Sequence, residues 1–240
     1  MRRLSFSRAA WRVAWTVATI LIVETAICGV AFLPVVLIWS WAFEPIESGS
    51  ALRPLAISLA IVPSYVLFGL VLMFVSAATT RILHWQTPAR IETRIADFDW
   101  PLLRWARGMV ATHLVRVFAG ALFRGSPVWT AYLRMAGAQL GRRVYVNSLA
   151  VTDYNLLEFG DDVVIGDGVH LSGHIVEAGV LKTAPVRLGR NVTIGLESFV
   201  EPGVEVGDGC QVGALSLVPK HTRLDANAVY VGIPAHRRRS

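Results

Sequence analysis

Apolar residues that recur at every sixth position limit most strongly what this chain can fold into. From residue 188 to residue 230 an aliphatic or aromatic residue returns every sixth position without a break, and the same spacing runs from 159 to 171. A repeat this regular indicates a β-solenoid in which each hexad supplies one short strand and one turn. The repeating positions are Leu140, Phe159, Ile165, Leu171, Leu188, Ile194, Val200, Val206, Val212, Val218, Leu224 and Tyr230.

Each hexad carries two further preferences besides the repeating apolar residue. Glycine often follows it, as at Gly160 and Gly195, and we expect that glycine to permit the backbone conformation of the turn. A small or branched residue comes four positions after it and is expected to fill a corner of the coil, with three hexads closing one triangular coil. These corner residues are Val163, Val169, Val192, Ser198, Cys210 and Ser216.

The repeat and the segment "VYVGIPA" at 229–235 together resemble the hexapeptide-repeat, left-handed β-helix family, whose closing signature is V-x-V-G-x-P-A. That resemblance implies an acyl- or acetyltransferase that uses acyl-CoA, although the family includes carbonic anhydrase-like and nucleotidyltransferase-linked members. The region from Phe123 to the end, with "GHIVEAGVLKTAPVRLG" inside it, is also similar to the membrane-bound C-terminal modules of poly-amino-acid synthetases such as ε-poly-lysine synthetase. The 240 residues show no adenylation or carrier domain, unlike those synthetases, so we expect that they cannot activate an amino acid alone. A free-standing acyltransferase and a separately encoded partner of a synthetase both remain open.

Two long apolar segments precede the repeat. Residues 13–43 carry one charge, Glu24, and residues 55–80 carry none, so both exceed the roughly 20 apolar residues that cross a bilayer core. They account for a composition that is 54% hydrophobic, too high for an ordinary soluble domain. We predict two transmembrane helices joined by a hairpin at 44–54. Glu24 is either a functional intramembrane acid or a side chain that is protonated or hydrogen-bonded to a neighbouring helix.

The basic residues predict the orientation of these two helices. Arginines flank both spans on the outside, whereas the hairpin holds only Arg53 against Glu44 and Glu47. The positive-inside rule therefore places an N-terminal tail (1–12), the β-helix and a basic tail (236–240) in the cytoplasm of a multi-pass cell-membrane protein. The net charge of +6 indicates attraction to membrane lipid, and we expect no nucleic-acid partner. The flanking arginines are Arg2, Arg3, Arg8 and Arg12 before the first span and Arg81, Arg90 and Arg94 after the second.

The segment between the second span and the β-helix, residues 81–139, is predicted to be an amphipathic helical linker. It either lies in the headgroup region or packs on the next domain. Its expected apolar stripe consists of Leu103, Ala106, Val110, Leu114, Val117 and Ala121, with Arg104 and Arg116 pointing away.

The hexad spacing breaks after Leu171 and resumes only at Leu188, which indicates a loop inserted on the outside of the solenoid. His174 opens this loop. The resemblance implies that a histidine at such an excursion is the catalytic base that deprotonates an acceptor amine or hydroxyl. A side chain with an unperturbed pKa of about 6.5 suits that role. The alternative is an ordinary polar loop residue.

Three other side chains complete the predicted site, and two further histidines are expected outside it. Glu177 is expected to orient the imidazole, or else to be a solvated acid. Asp153 lies where the hexad spacing is shifted by one residue, so we expect it near the inserted loop that His174 opens. Lys182 is a candidate for holding a carboxylate or phosphate of the substrate, and the alternative is an ordinary surface lysine. His221, like His170, is expected on the surface, and a zinc site built on His170 and His174 lacks a clear third ligand, so we predict no metal.

The acyl donor is expected to bind as a thioester co-substrate, either acyl-CoA or the phosphopantetheine of a carrier protein, and no permanently bound cofactor is predicted. By resemblance the pantetheine arm runs beside small residues and the phosphates meet basic ones, although glycine and serine are also what coil corners require. The candidate donor-binding residues are Gly213, Ala214, Ser216, Lys220, Gly232, Pro234 and Arg237.

Together these features predict two membrane helices and an amphipathic helix followed by a left-handed parallel β-helix at 140–235. The predicted function is a membrane-anchored acyl or aminoacyl transferase, with a place in non-ribosomal poly-amino-acid synthesis, that forms a homo-oligomer, a trimer before a dimer. The competing hypothesis is a non-catalytic scaffold that docks a synthetase or export machine at the membrane.

Overall fold

The computed structural model describes residues 6–44, 50 and 52–238 of the 240. The remaining residues include most of the predicted hairpin, Arg2 and Arg3 of the N-terminal tail and the last two residues of the basic tail. Those parts of the predictions lie outside the described residues. Everything from the second long helix to residue 238 is described without a gap.

Two long helices open the described chain. Helix α1 covers Phe6–Phe43 and helix α2 covers Leu52–Ile82, so each extends beyond the segment predicted for it. Both are long and apolar enough to cross a membrane. They pack against each other through residues such as Ala31 and Leu72, and the rings of Phe32 and Phe68 stack at 4.2 Å between centroids.

The segment after α2 was predicted to be a helical linker, but only part of it is helical. It first forms a strand, β1 (Glu92–Arg94), and a 3-10 turn. Helix α3 (Trp100–Val115) follows, and one π-helical turn (Arg116–Gly120) joins it to the short helix α4 (Ala121–Phe123). Helix α5 (Pro127–Met135) then leads into the solenoid, with Ser126 capping its first turn through Oγ.

Most members of the predicted apolar stripe are not buried within the protein. Leu103 is buried, but Val110 and Val117 are exposed. The buried positions instead follow a row spaced by four or eight residues, which Phe123 on α4 continues beyond the π-helical turn. That row packs against α2, where Ser76 donates a hydrogen bond to the carbonyl of Ala111. The buried row is Leu103, Ala111, Val115 and Ala119.

The C-terminal half is a parallel β-helix of short strands that pass in turn through three sheets. The first sheet has the strand order β15-β12-β9-β4-β2, the second β17-β16-β13-β10-β5-β3, and the third β14-β11-β6. The strands in chain order are β2 (Gln139–Leu140), β3 (Tyr145–Val146), β4 (Leu157–Phe159), β5 (Val164–Ile165), β6 (His170–Leu171), β7 (His174–Glu177), β8 (Val180–Thr183), β9 (Val186–Leu188), β10 (Thr193–Ile194), β11 (Phe199–Val200), β12 (Glu205–Val206), β13 (Gln211–Val212), β14 (Leu217–Val218), β15 (Arg223–Leu224), β16 (Val229–Val231) and β17 (His236–Arg237).

The inward positions agree with the predicted repeat. Every repeating residue from Phe159 onward is buried, and Ile194 is completely so. The six predicted corner residues are likewise fully buried, including the polar Ser198 and Ser216. The core therefore runs along the axis of the solenoid.

The glycine after the repeating residue has a different role from the one expected. Gly195 does not have a positive φ; the left-handed residue of its turn is Glu197, two positions later. A Cβ added at Gly195 would lie 2.4 Å from the backbone nitrogen of Ala214 on the next coil. Glycine is needed at this position because adjacent coils approach each other closely, and the turn conformation itself is adopted by other residues.

The spacing between coils shows where extra residues enter. Thr193 pairs with Gln211, a step of 18 residues, whereas Val164 pairs with Thr193, a step of 29. The additional residues form the antiparallel hairpin β7–β8, and its second strand, β8, also pairs with β1 of the linker. An earlier coil has a smaller insertion of one residue, because Val146 pairs with Ile165 at a step of 19 residues.

Candidate active site

Both insertions interrupt the solenoid at the same corner, where the chain passes from the third sheet to the first. We call this corner the histidine edge. Val151 and Leu171 are bridged as parallel neighbours in the third sheet, and the one-residue and eleven-residue insertions directly follow them. Asp153 and His174 therefore emerge side by side from adjacent coils. The register of the coils brings these two side chains together.

His174 and Asp153 form a hydrogen-bonded pair. The Nδ1 atom of His174 lies 2.5 Å from Oδ2 of Asp153, whose side chain is fully buried, while the imidazole is 20% exposed. A carboxylate accepts the Nδ1 proton, so the neutral imidazole keeps its lone pair on Nε2. The arrangement leaves one ring nitrogen free to take a proton from a molecule at the surface of the site.

Asp153 receives several other hydrogen bonds. Thr87 Oγ1 donates to Oδ1 at 2.7 Å, and the backbone N–H of Gly173 donates to Oδ2 at 3.1 Å. Thr152 and Ser172 place their hydroxyls 3.2 and 3.3 Å from Oδ2. A Cβ on Gly173 would lie 3.0 Å from the Cβ of Asp153, so glycine permits this close approach.

These contacts decide the protonation of the Asp153 carboxyl. Burial acts to raise its pKa, but the hydrogen bond and charge of His174, together with the hydroxyls of Thr87 and Thr152, outweigh that effect. The pKa of Asp153 is therefore lowered from its usual range, and the group is ionised at neutral pH.

An aromatic residue of the linker lies over the imidazole. The Trp105 ring on α3 meets the His174 ring edge-to-face, with 4.9 Å between centroids. This contact restricts the imidazole on one side and shields it from water. The residue comes from the helix that also packs on α1 and α2.

Glu177 does not orient the imidazole, contrary to the sequence prediction. Its carboxylate binds the ammonium of Lys220 and lies 3.6 Å from that of Lys182. The reason is strand alternation, because side chains at even spacings along β7 point to one face and those at odd spacings to the other. His174 and Glu177 therefore lie on opposite faces of the hairpin. Lys182, predicted to hold a substrate anion, here holds this internal carboxylate.

The predicted donor-binding residues are divided between two edges. Lys220 lies on the histidine edge, in contact with the hairpin. Most of the others lie on the corner between the second and third sheets, which we call the Ile233 edge. Arg237 follows on β17 and lies 3.4 Å from Asp225. The residues on the Ile233 edge are Gly213, Ala214, Ser216, Gly232 and Pro234.

The remaining candidate side chains lie away from this pair. His170 and His221 are exposed as expected, and His170 stacks on Phe199. No group of three potential metal ligands is found among the described residues. On α1, Oε1 of Glu24 is buried and has no hydrogen-bond partner in the described part of the chain.

Sequence reasoning missed the side chains that surround the pair. Ser172 and Thr152 occupy equivalent positions on successive coils, as the hydrogen bond from Thr152 N to Leu171 O shows, so the repeat alignment could have identified them. Thr87 and Trp105 come from the linker, far away in the chain. Nothing in the repeat connects the linker with the histidine edge.

The lowered pKa of Asp153 predicts a stability that depends on acid pH. The unfolded chain takes up the proton at the ordinary pKa of about 3.9, whereas the folded protein takes it up at lower pH. The contribution of Asp153 is thus fully present above about pH 5 and is lost as pH falls through the folded pKa. Thermal unfolding in detergent between pH 6 and 3 should show a steeper fall in Tm for the wild type than for Asp153→Asn. Parallel profiles would contradict this account.

Comparison with known proteins gives no matching family model but several relatives. The chain is 34% identical to galactoside O-acetyltransferase of Escherichia coli (strain K12) over 116 residues, which is 45% of this chain and 55% of that protein. It is 24% identical to delta-poly-L-ornithine synthetase of Acinetobacter baumannii (strain AB307-0294) over 64% of this chain but 12% of the synthetase. The chain therefore spans about half the length of the first relative and a small part of the second.

Solved structures also resemble part of the chain. A galactoside acetyltransferase in complex with coenzyme A matches 47% of this chain and 69% of its own, with 24% identity and a TM-score of 0.40. A hexapeptide-repeat acetyltransferase from Vibrio cholerae O1 biovar eltor, complexed with acetyl coenzyme A, matches 43% of this chain and 60% of its own, with 21% identity and the same TM-score.

One curated relative is matched over most of its length. The chain is 31% identical to WcaF of Escherichia coli (strain K12), whose name assigns it an acetyltransferase role in colanic acid biosynthesis, and the match covers 72% of that protein. With the hexad repeat, the buried inward positions and the relatives already described, this match places the chain among the hexapeptide-repeat acyltransferases.

Proposed function

We propose that the protein transfers an acyl group from a thioester to an amine or hydroxyl acceptor, with His174 as general base. The observation that carries the proposal is the 2.5 Å contact between His174 Nδ1 and the buried, ionised Asp153. This contact leaves Nε2 free to remove the acceptor proton while the acceptor attacks the thioester carbonyl. Asp153 then stabilises the imidazolium that forms.

The imidazolium next gives up its proton as the reaction finishes. The acceptor oxygen or nitrogen bonds to the carbonyl carbon, the carbon–sulfur bond breaks, and the thiolate that leaves takes the proton from Nε2. His174 returns to its neutral form, so no other reactant is needed. The donor is acyl-CoA, as the acetyltransferase relatives suggest, or the phosphopantetheine of a carrier protein. Aminoacyl transfer within poly-amino-acid synthesis is the form of this activity that the ornithine synthetase similarity favours.

The first test is to remove the base. Full-length His174→Ala in detergent should lose about a hundredfold or more in kcat, since positioned proton transfer contributes about 10²–10⁴-fold. Asp153→Asn should lose about ten- to a hundredfold because the imidazole is no longer held in the required tautomer. The assay measures free thiol released from acetyl-CoA with galactoside or ornithine acceptors, and with a carrier-bound acetyl thioester as second donor.

The control is His221→Ala, which removes an exposed histidine and should leave kcat within about twofold of the wild type. A folded His174→Ala protein with near-wild-type transfer would overturn the proposal and favour a scaffold that docks a synthetase or export machine.

We also propose that α1 and α2 anchor the enzyme in the cell membrane. Only 11% and 17% of their most apolar windows are buried within the protein, so most of these side chains need a non-aqueous surrounding. Trp11 and Trp41 are 60% and 79% exposed near the two ends of α1. Their spacing along a helix, about 45 Å, matches a bilayer with its headgroups, where tryptophan is enriched.

Reporter fusions test the orientation of this anchor. The arginines on the outer flanks of the two helices predict that both chain ends and the β-helix face the cytoplasm. A fluorescent protein fused after Ser240 should be active, and alkaline phosphatase inserted at Ser50 should be active as a periplasmic reporter. The opposite activity in both fusions would refute this topology.

We propose further that the protein forms a trimer through the Ile233 edge, with the left-handed coil of its family. Leu196, Leu215 and Ile233 occupy equivalent corners of successive coils on this edge and are 51%, 59% and 75% exposed. A continuous apolar edge of this kind favours association.

Mass measurement in detergent tests the assembly. We expect the mass of a trimer at micromolar protein concentration, and Leu215→Arg should shift the population toward monomer because it introduces charge into the apolar edge. A wild type that is monomeric under these conditions would exclude the proposed interface.

A further inference from the structure

The linker between the membrane helices and the β-helix contributes a residue to the His174–Asp153 pair. Thr87 is only 6% exposed, and its hydroxyl donates to Oδ1 of Asp153 at 2.7 Å. Among the described residues, Thr87 is the only hydrogen-bond partner of this oxygen. The other contacts of the carboxylate, including that of His174, are made by Oδ2.

Thr87 is itself held in a defined position. The side chain of Asn155 makes two hydrogen bonds with its backbone, accepting from Thr87 N at 3.1 Å and donating to Thr87 O at 2.9 Å. The next residue is also attached, because Thr183 donates its hydroxyl to the carbonyl of Pro88 at 2.6 Å. This part of the linker is therefore fastened to both insertions of the histidine edge.

We propose that Thr87 is a positioning residue for acyl transfer, acting through Asp153 and not by contact with substrate. The Thr87 hydroxyl fixes Oδ1 of Asp153, and this fixes the rotation of the carboxylate so that Oδ2 faces His174 Nδ1. Without the hydroxyl, Oδ1 is left buried and unsatisfied, and the carboxylate rotates to satisfy it. The inference rests on the proposed function. It makes the linker part of the active site as well as a tether.

The test compares kcat and KM of full-length variants with acetyl-CoA and the acceptor that the wild type uses. Thr87→Val keeps the shape and removes the hydroxyl, so kcat should fall about ten- to a hundredfold with KM values within about twofold. Thr87→Ser restores the hydroxyl and should recover kcat to within about threefold of the wild type. Asn155→Ala, which alters neither partner of the hydrogen bond, should lower kcat in the same direction.

The matched control is Thr130→Val. Thr130 is a similarly buried threonine, 4% exposed, whose hydroxyl donates to the carbonyl of Val144 at 3.2 Å, away from the histidine edge. It should lose thermal stability as Thr87→Val does but keep wild-type kcat. Equal losses of kcat in the two valine variants would show a merely structural role and overturn the proposal.

A double-mutant cycle shows whether Thr87 acts through Asp153. In the Asp153→Asn background, Thr87→Val should produce no further loss of kcat. The inference fails if the kcat losses of the two single variants multiply in the double variant. It also fails if Thr87→Val keeps wild-type kcat while Asp153→Asn is impaired. Either result leaves the proposed function intact. If His174→Ala and Asp153→Asn also retain full transfer, the proposed function fails, and the role of Thr87 fails with it.

Discussion

Stacking of one coil on the next is the constraint on which the rest of this structure depends. Each strand must meet its parallel neighbour in register, 18 residues away where nothing is inserted, so that backbone hydrogen bonds and inward side chains repeat. An insertion inside a strand would break that register for every later coil. Extra residues are tolerated only at corners, where the chain can leave the stack and return to it in register. Chemistry in such a protein is therefore confined to its edges.

The two insertions at the histidine edge together form the His174–Asp153 pair. Neither insertion makes a site alone: one supplies a buried carboxylate, and the other supplies an imidazole and the backbone N–H of Gly173. A buried charge is tolerated only when hydrogen bonds replace its hydration, and Asp153 has donors from both coils and from the linker. The same donors hold the carboxylate as an ion and aim it at one imidazole nitrogen.

The repeat predicted the solenoid, its buried positions and the location of the hairpin because period-six spacing is a local property of the chain. It also predicted that Asp153 and His174 would be near each other, since both follow breaks in the same register. It failed for Glu177, where the direction of a side chain depends on strand alternation inside the insertion. It failed for Thr87 and Trp105 because their contacts join segments that have no common period. Most of the stripe predicted around α3 is not buried within the protein, because contacts with α2 select the buried row and apolar spacing alone does not reveal them.

The pairing of β1 with β8 has a consequence for the order in which the chain assembles during synthesis. Glu92 is translated 90 residues before its partner Lys182, and Thr87 long before Asp153. When α1, α2 and the linker leave the ribosome, β1 has no strand to pair with and Thr87 has no carboxylate to bind. The early coils and the hairpin must form before the linker can dock on them. The histidine edge is thus completed after the helices and the linker that precede it, and until then β1 presents an unpaired edge that folding must protect.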